Sequence, residues 1–96
     1  MAKMAFQTKL SINFLREGKR FIAYSPALDL STSGKTYKEA KRRFQEAAQL
    51  FFEETMKKGV LKEVLRDLGW QFKNSEPLPP VSVGNEIQSF KIPIHA

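Results

Sequence analysis

The first third of the chain alternates between apolar and polar residues, with the period of two typical of strands that bury one face. Residues 6–14 form the first predicted strand, and the glycine within Arg16–Lys19 predicts a hairpin after it. Arg20–Ser25 predicts a second strand, which Pro26 ends because proline has no N–H to donate. Leu28–Ser33 predicts a third strand. The apolar face of the first strand would carry Phe6, Leu10, Ile12 and Phe14.

After the third predicted strand, the apolar period changes to about 3.6, which predicts a helix. Thr36 and Glu39 fit a capping box, in which the hydroxyl accepts from the Glu39 N–H and the carboxylate accepts from the Thr36 N–H. We expect Gly34 to supply a backbone turn just before this helix, and Gly59, which follows two lysines, to end it. The apolar positions are Tyr37, Ala40, Phe44, Ala47, Ala48, Phe51 and Phe52.

The last third of the chain predicts a second, shorter helix over residues 60–69 and a short fourth strand over Trp70–Asn74. The proline-rich residues 75–85 predict an extended surface connection. Glu86–Ile94 alternates again and predicts a last strand, and Pro93 places that strand at a sheet edge or ends it.

The element order, β-β-β-α-(α)-β-β, predicts one α+β domain over residues 1–96, with the long helix across one face of an antiparallel sheet. Its apolar content of 42% is normal for a globular protein, and the absence of cysteine excludes disulfides and thiolate chemistry. No apolar run approaches the ~20 residues that span a bilayer. The N-terminus also lacks the apolar core of a signal peptide. We therefore expect a cytoplasmic protein without membrane contact.

Positive charge is concentrated in the first half of the chain, although the overall formal charge is only +6. A cluster of cations at the start of the long helix could contact phosphates or an acidic partner. It could equally be a solvated surface that Glu39 and Glu46 balance. Stacking on single-stranded RNA would need exposed aromatic rings nearby, and Tyr24 and Tyr37 are the candidates, although both also fit the edge of the core. The cationic cluster is Lys35, Lys38, Lys41, Arg42 and Arg43.

Candidate catalytic groups are scarce. The one histidine, His95, is next to the C-terminus, so no Ser-His or Cys-His pair is expected. Asp29 is the only acidic residue in the strands after the hairpin, which is too few carboxylates for metal-dependent hydrolysis. The glycines are scattered and form no phosphate-binding loop. The sequence thus predicts no catalytic residue, metal site or cofactor, and not an enzyme.

Residues 21–47 read FIAYSPALDLSTSGKTYKEAKRRFQEA, and this order of residues resembles the N-terminal domain of the HicB-like antitoxin family. The family pattern is an aromatic-rich strand, a proline, a leucine two residues later, a short strand, Gly-x-Thr, and two Glu-Ala pairs seven residues apart. The resemblance covers about residues 6–58. Its positions in this chain are Tyr24, Pro26, Leu28, Gly34, Thr36, Glu39, Ala40, Glu46 and Ala47.

This resemblance implies a partial RNase H-like fold without the acidic site of the nuclease. It also implies a non-catalytic module that binds and neutralises a small basic, mRNA-cleaving toxin of the HicA type. Many family members carry a C-terminal DNA-binding domain, which the residues after 58 do not predict. The alternative is a small RNA- or DNA-binding module that uses the basic helix face. An exposed edge strand also invites pairing with a second chain, so we expect a homo-oligomer formed through Ile87, Phe90 and Ile92.

Overall fold

The structure is a computed structural model that describes residues 6–95. A three-stranded antiparallel sheet of order β1-β2-β3 precedes two helices, and a separate two-stranded antiparallel sheet follows them. This small α+β arrangement confirms the predicted element order. The elements are β1 (Asn13–Glu17), β2 (Arg20–Ser25), β3 (Leu30–Gly34), α1 (Tyr37–Lys57), α2 (Leu61–Asp67), β4 (Gln71–Lys73) and β5 (Glu76–Leu78).

The first strand is shorter than predicted and begins later. Pairing of β1 with β2 starts where Asn13 faces Tyr24. In the same register Ile12 would face Ser25, and Ser11 would face Pro26, which offers no N–H. Residues 7–14 nevertheless alternate between exposed and half-buried, so the predicted apolar face is present without the predicted pairing. The half-buried residues are Thr8, Leu10, Ile12 and Phe14, whereas Phe6 is exposed.

Small side chains bring α1 close to the inner face of the sheet. Ala23 in β2 and Ala40 in α1 are completely buried, and Phe44 fills the space between the layers one turn further along. The Thr32 hydroxyl donates to the Ala40 carbonyl at 3.0 Å and ties β3 to the helix. The alanines that the sequence places on the apolar helix face therefore set the distance between sheet and helix.

Gly34 has a different role from the one expected. It is buried and does not have a positive φ, so it supplies no left-handed turn. A Cβ atom built on Gly34 would lie 2.7 Å from the backbone nitrogen of Ala40 and 3.0 Å from the Glu39 Cβ. The expectation of a turn was wrong, because the requirement for glycine comes from the close approach of α1 to β3.

The cap of α1 agrees with the prediction in one of its two hydrogen bonds. The Thr36 hydroxyl accepts from the Glu39 N–H at 3.0 Å. The Glu39 carboxylate accepts from the Lys35 N–H at 3.3 Å, and not from the Thr36 N–H. At the other end, Gly59 has a φ of 74° and ends the helix as predicted.

The C-terminal hairpin corrects two sequence predictions. Asn74 and Ser75 both have positive φ, at 52° and 66°, and form the two-residue turn that joins β4 to β5. Within residues 75–85, predicted as a connection, Glu76–Leu78 therefore form a strand. The predicted last strand, Glu86–Ile94, is wrong, because those residues belong to no strand in the structure and are exposed.

Ser25 is the one buried polar residue of the described core, and its hydroxyl has no hydrogen-bond partner among residues 6–95. Burying an unpaired hydroxyl is unfavourable. We expect Ser25→Ala to raise the free energy of unfolding by about 1 kcal/mol, measured by urea denaturation. The exposed Ser31→Ala is the matched control on the neighbouring strand and should leave stability unchanged. A lower free energy of unfolding for Ser25→Ala would contradict the unpaired state of this hydroxyl.

Candidate protein-interaction surface

The outer face of the three-stranded sheet, opposite α1, is the main candidate site. Of the described elements, only α1 packs extensively on this sheet. Successive strand residues point to opposite faces, so the residues that flank buried Ala23 point away from the helix. On this open face Leu15 lies directly opposite Ile22, and Tyr24 lies opposite Asn13. We call the three larger side chains, Leu15, Ile22 and Tyr24, the open-face stripe.

Leu15 is the most accessible member of the open-face stripe, with 49% of its surface exposed, and Ile22 and Tyr24 are half-buried. Polar residues surround them. Ser31 and Ser33 of β3 lie opposite Tyr24 and Ile22. An apolar centre with a polar border is the arrangement found at protein–protein interfaces.

Tyr24 is held in place by the turn that follows its strand. Its hydroxyl donates to Oδ1 of Asp29 at 3.0 Å, and the Asp29 N–H donates to the Pro26 carbonyl at 3.3 Å. Asp29 has a φ of 48°, a left-handed conformation that aspartate tolerates in turns. The hydrogen bond to the carboxylate raises the pKa of Tyr24, and desolvation and the negative charge of Asp29 act in the same direction. The ring is thereby oriented on the open face.

The other side of the same turn is buried under the indole of Trp70. Ala27 and Leu28 are buried, and the Trp70 Nε1–H donates to the Ala27 carbonyl at 2.7 Å. Phe52 of α1 meets the edge of this indole at a centroid distance of 6.3 Å. The β2–β3 turn is therefore fixed from both sides and presents a rigid sheet end.

The residues of the HicB-like pattern lie mainly at these joints. Pro26 is exposed at the turn, whereas Gly34, Glu39 and Ala40 form the junction of β3 and α1. The later pair differs, because Glu46 is exposed in an ion pair and Ala47 is half-buried. The structure therefore brings Tyr24, Pro26 and Leu28 together at one joint and Gly34, Thr36, Glu39 and Ala40 at another.

The predicted cationic cluster is divided by hydrogen bonding. Arg43 pairs with Glu39 at 3.2 Å and donates to the Ser33 carbonyl of β3 at 3.0 Å. Arg42 pairs with Glu46 at 3.2 Å. The side chains of both arginines are thus engaged in contacts within the protein. Among the described residues, the cations of the cluster without an ion pair are Lys35, Lys38 and Lys41.

The second candidate for base stacking lies against the sheet. Tyr37 is exposed over 48% of its surface, but its ring packs on Phe14 with a centroid distance of 4.4 Å.

Arg20 donates to the Ser33 hydroxyl at 3.1 Å, which places its guanidinium on the open face. The sequence analysis did not single out Leu15, Ile22 or Arg20. Their signal was the strand alternation itself, since they are the positions opposite the predicted core face.

Within residues 6–95, no three His, Cys, Asp or Glu side chains lie together in a way that could hold a metal ion. His95 is exposed at the end of the described chain. Neither α1 nor α2 has the length and apolar character that a membrane span needs.

The chain matches no protein-family model, no curated protein and no solved structure. The resemblance to HicB-like antitoxins therefore stays a prediction based on the residues of its motif.

Proposed function

We propose that the protein is a non-catalytic interaction module that binds and neutralises a small, basic, mRNA-cleaving toxin of the HicA type. The observation that carries the proposal is the open-face stripe of Leu15, Ile22 and Tyr24 with its polar border. Such a face offers an apolar centre that a partner can cover and polar groups that can pair at its rim. Tyr24, one of the motif residues that suggest the family, lies on this face and is held there by its bond to Asp29.

The open face is better suited to a protein partner than the outer side of α1. Exposed lysines and glutamates populate that side of the helix, and these residue types are depleted at interface centres. The open face instead has leucine and isoleucine, which lose less rotamer entropy when a partner orders them than lysine or glutamate does. Two carboxylates near this face could pair with a basic partner. Glu17 lies at the end of β1, and Asp29 lies in the β2–β3 turn.

Two exposed leucines allow a matched test of this surface. Leu15 is exposed on the open face, and Leu50 is exposed to a similar degree, 49% against 56%, on α1. Leu15→Asp should abolish binding of the partner, because a charge would replace the centre of the interface, whereas Leu50→Asp should bind as the wild type does. Circular dichroism of both variants would establish that each is folded.

One experiment can identify the partner: a candidate protein must co-elute with the chain, and it must also be toxic. The tagged chain is purified from its own cells, and any small basic protein that co-elutes is then expressed alone. That protein should stop growth and cleave mRNA, and co-expression of wild-type chain or Leu50→Asp should restore growth while Leu15→Asp should not. The proposal is wrong if no co-eluting protein is toxic, or if Leu15→Asp protects as well as the wild type.

The alternative function, binding of RNA or DNA, is favoured by one observation. Lys35, Lys38 and Lys41 are exposed without an ion pair in the described part of the chain. If they contact phosphates, retention of a single-stranded RNA oligomer should fall steeply with salt and be lost when all three lysines are changed to glutamate. Equal retention by wild-type and charge-reversed chains would exclude this alternative. The toxin proposal predicts that equality.

We infer in addition that the protein is a homo-oligomer. Ile87, Phe90 and Ile92 support this inference, because they are almost fully exposed in the chain by itself.

A further inference from the structure

The C-terminal tail, residues 81–95, forms no helix or strand, and each of its residues is exposed. Its large apolar side chains keep between 77% and 100% of their surface accessible. The radius of gyration is 16.9 Å, well above the roughly 13 Å of a compact domain of this length. The tail therefore leaves the body of the molecule with its apolar side chains uncovered. Those side chains are Val81, Val83, Ile87, Phe90, Ile92 and Ile94.

The second half of the tail has the sequence of a strand that lacks a partner. Phe90, Ile92 and Ile94 alternate with polar residues or proline, so an extended chain places all three on one side. Isoleucine and phenylalanine are also the residue types that pack well on a sheet. Because Pro93 has no N–H, pairing is expected to be complete only up to Ile92.

An acceptor for such a strand lies just before β1. Leu10 and Ile12 pack against the core, yet residues 8–12 have no strand partner within the described chain. Beside this segment is a cleft of about 300 Å³, whose walls include Leu10 and Ile12 on one side and Phe44, Ala48 and Phe52 of α1 on the other. An added strand would lie next to residues 8–12 and direct its apolar side chains under α1.

The opposite edge of the sheet is less available. At β3, the Ser33 carbonyl already accepts a hydrogen bond from Arg43 of α1. A covered edge group blocks the regular ladder that strand addition needs. The edge formed by residues 8–12 and β1 is therefore the better acceptor.

The tail begins beside this same acceptor segment. Residues 80–84 and Ser11, Pro26 and Ala27 together line a second cleft, of about 290 Å³. A tail that starts beside the acceptor of its own chain and then leads away can cross to the same acceptor on a second copy. Two copies related by a two-fold axis would each donate and receive one tail.

We propose that two copies of this chain exchange their C-terminal tails, so that Phe90 and Ile92 of each enter the cleft beside residues 8–12 of the other. Exchange would cover Phe90 and Ile92, which the single chain leaves 81% and 79% exposed. Exchange would also give residues 8–12 the strand partner that they lack within one chain. This assembly does not depend on the proposed toxin, since it uses the sheet edge and leaves the open face accessible.

The first test is the mass of the full chain in solution by sedimentation equilibrium. We expect a dimer for the wild type, and Phe90→Asp should weaken dimerisation by about 100-fold or more. Val83→Asp is the matched control, because Val83 is also exposed, 96% against 81% for Phe90, but precedes the exchanged segment. A monomeric wild type, or a dimer that Phe90→Asp does not weaken, would overturn the proposal. So would a tail that becomes covered only when a different protein binds.

The second test uses the absence of cysteine from the chain. One chain carries Ser11→Cys and another carries Ser89→Cys, both at exposed positions. A short bis-maleimide linker should join the two chains when they are mixed, and adding Phe90→Asp to the second chain should prevent the link. Absence of the mixed product from a dimeric sample would show that the dimer forms without tail exchange and would refute the proposal.

Discussion

Gly34→Ala is expected to lower the free energy of unfolding by about 3 kcal/mol, because the added methyl group overlaps the backbone of α1. The Cβ atom would lie 2.7 Å from the Ala40 nitrogen, closer than real Cβ contacts come. The Ala40 N–H is the first donor of the helix and bonds to the Thr36 carbonyl at 3.1 Å, so it cannot move alone. The whole start of α1 would have to shift away from β3.

Gly84→Ala provides a matched control for this substitution. Gly84 has no positive φ, and a Cβ atom there would meet nothing within 4 Å. The free energy of unfolding of Gly84→Ala should stay within about 0.5 kcal/mol of the wild-type value. Urea denaturation of the three proteins, followed by the fluorescence of the single tryptophan, measures the difference. If Gly34→Ala were as stable as Gly84→Ala, the close approach of β3 and α1 would be contradicted.

The features that could be predicted from the sequence are those that neighbouring residues determine. The Thr36 cap, the end of α1 at Gly59 and strand β2 all depend on contacts within a few positions of the chain. Alternation at residues 6–14 also predicted correctly which side chains of that segment pack inward, apart from Phe6. Local hydrogen bonding and periodicity are sufficient to specify such features.

The features that could not be predicted depend on residues distant in the chain. The role of Gly34 requires knowing how near Ala40 lies, and a glycine before a helix looks the same in either role. Pairing of the first strand stops short of residues 6–12 near Pro26, which faces Ser11 in this register, although the strand pattern of those residues continues. Glu86–Ile94 has a better strand pattern than β5, but β5 follows a two-residue turn that brings it directly to β4.

The candidate site was predicted only in part for the same reason. The five cations of the cluster are neighbours in the sequence, and only the fold shows that Arg43 is engaged by Ser33 of the sheet. The residues of the open-face stripe, in contrast, are not neighbours in the sequence. Leu15 and Ile22 are seven residues apart and become a surface only through the register of the hairpin.

Trp70→Phe is the second substitution with a large expected effect, again about 3 kcal/mol of lost stability. Trp70 is almost fully buried, and its Nε1–H is bonded to the Ala27 carbonyl across 43 positions of the chain. Phenylalanine would leave that buried carbonyl without a donor and would also leave a void beside Phe52. The loss of stability should be concentrated at the β2–β3 turn, because the Trp70 indole packs against this turn and donates a hydrogen bond to it.

Amide hydrogen exchange can locate the effect, and an isostere can separate its two causes. In Trp70→Phe all amides should exchange faster, because the protein is less stable. The increase should be larger for the amides of Ala27, Leu28 and Asp29 than for the amides of β1. A benzothiophene side chain at position 70 keeps the size of the indole and removes only the N–H, so it should retain the packing and cost about 1–3 kcal/mol. If the isostere were as stable as the wild type, the hydrogen bond to Ala27 would contribute nothing and the turn would be held by packing alone. Since that turn also orients Tyr24, a loosened turn in a folded Trp70→Phe protein should weaken partner binding at the open face without any change to the face itself.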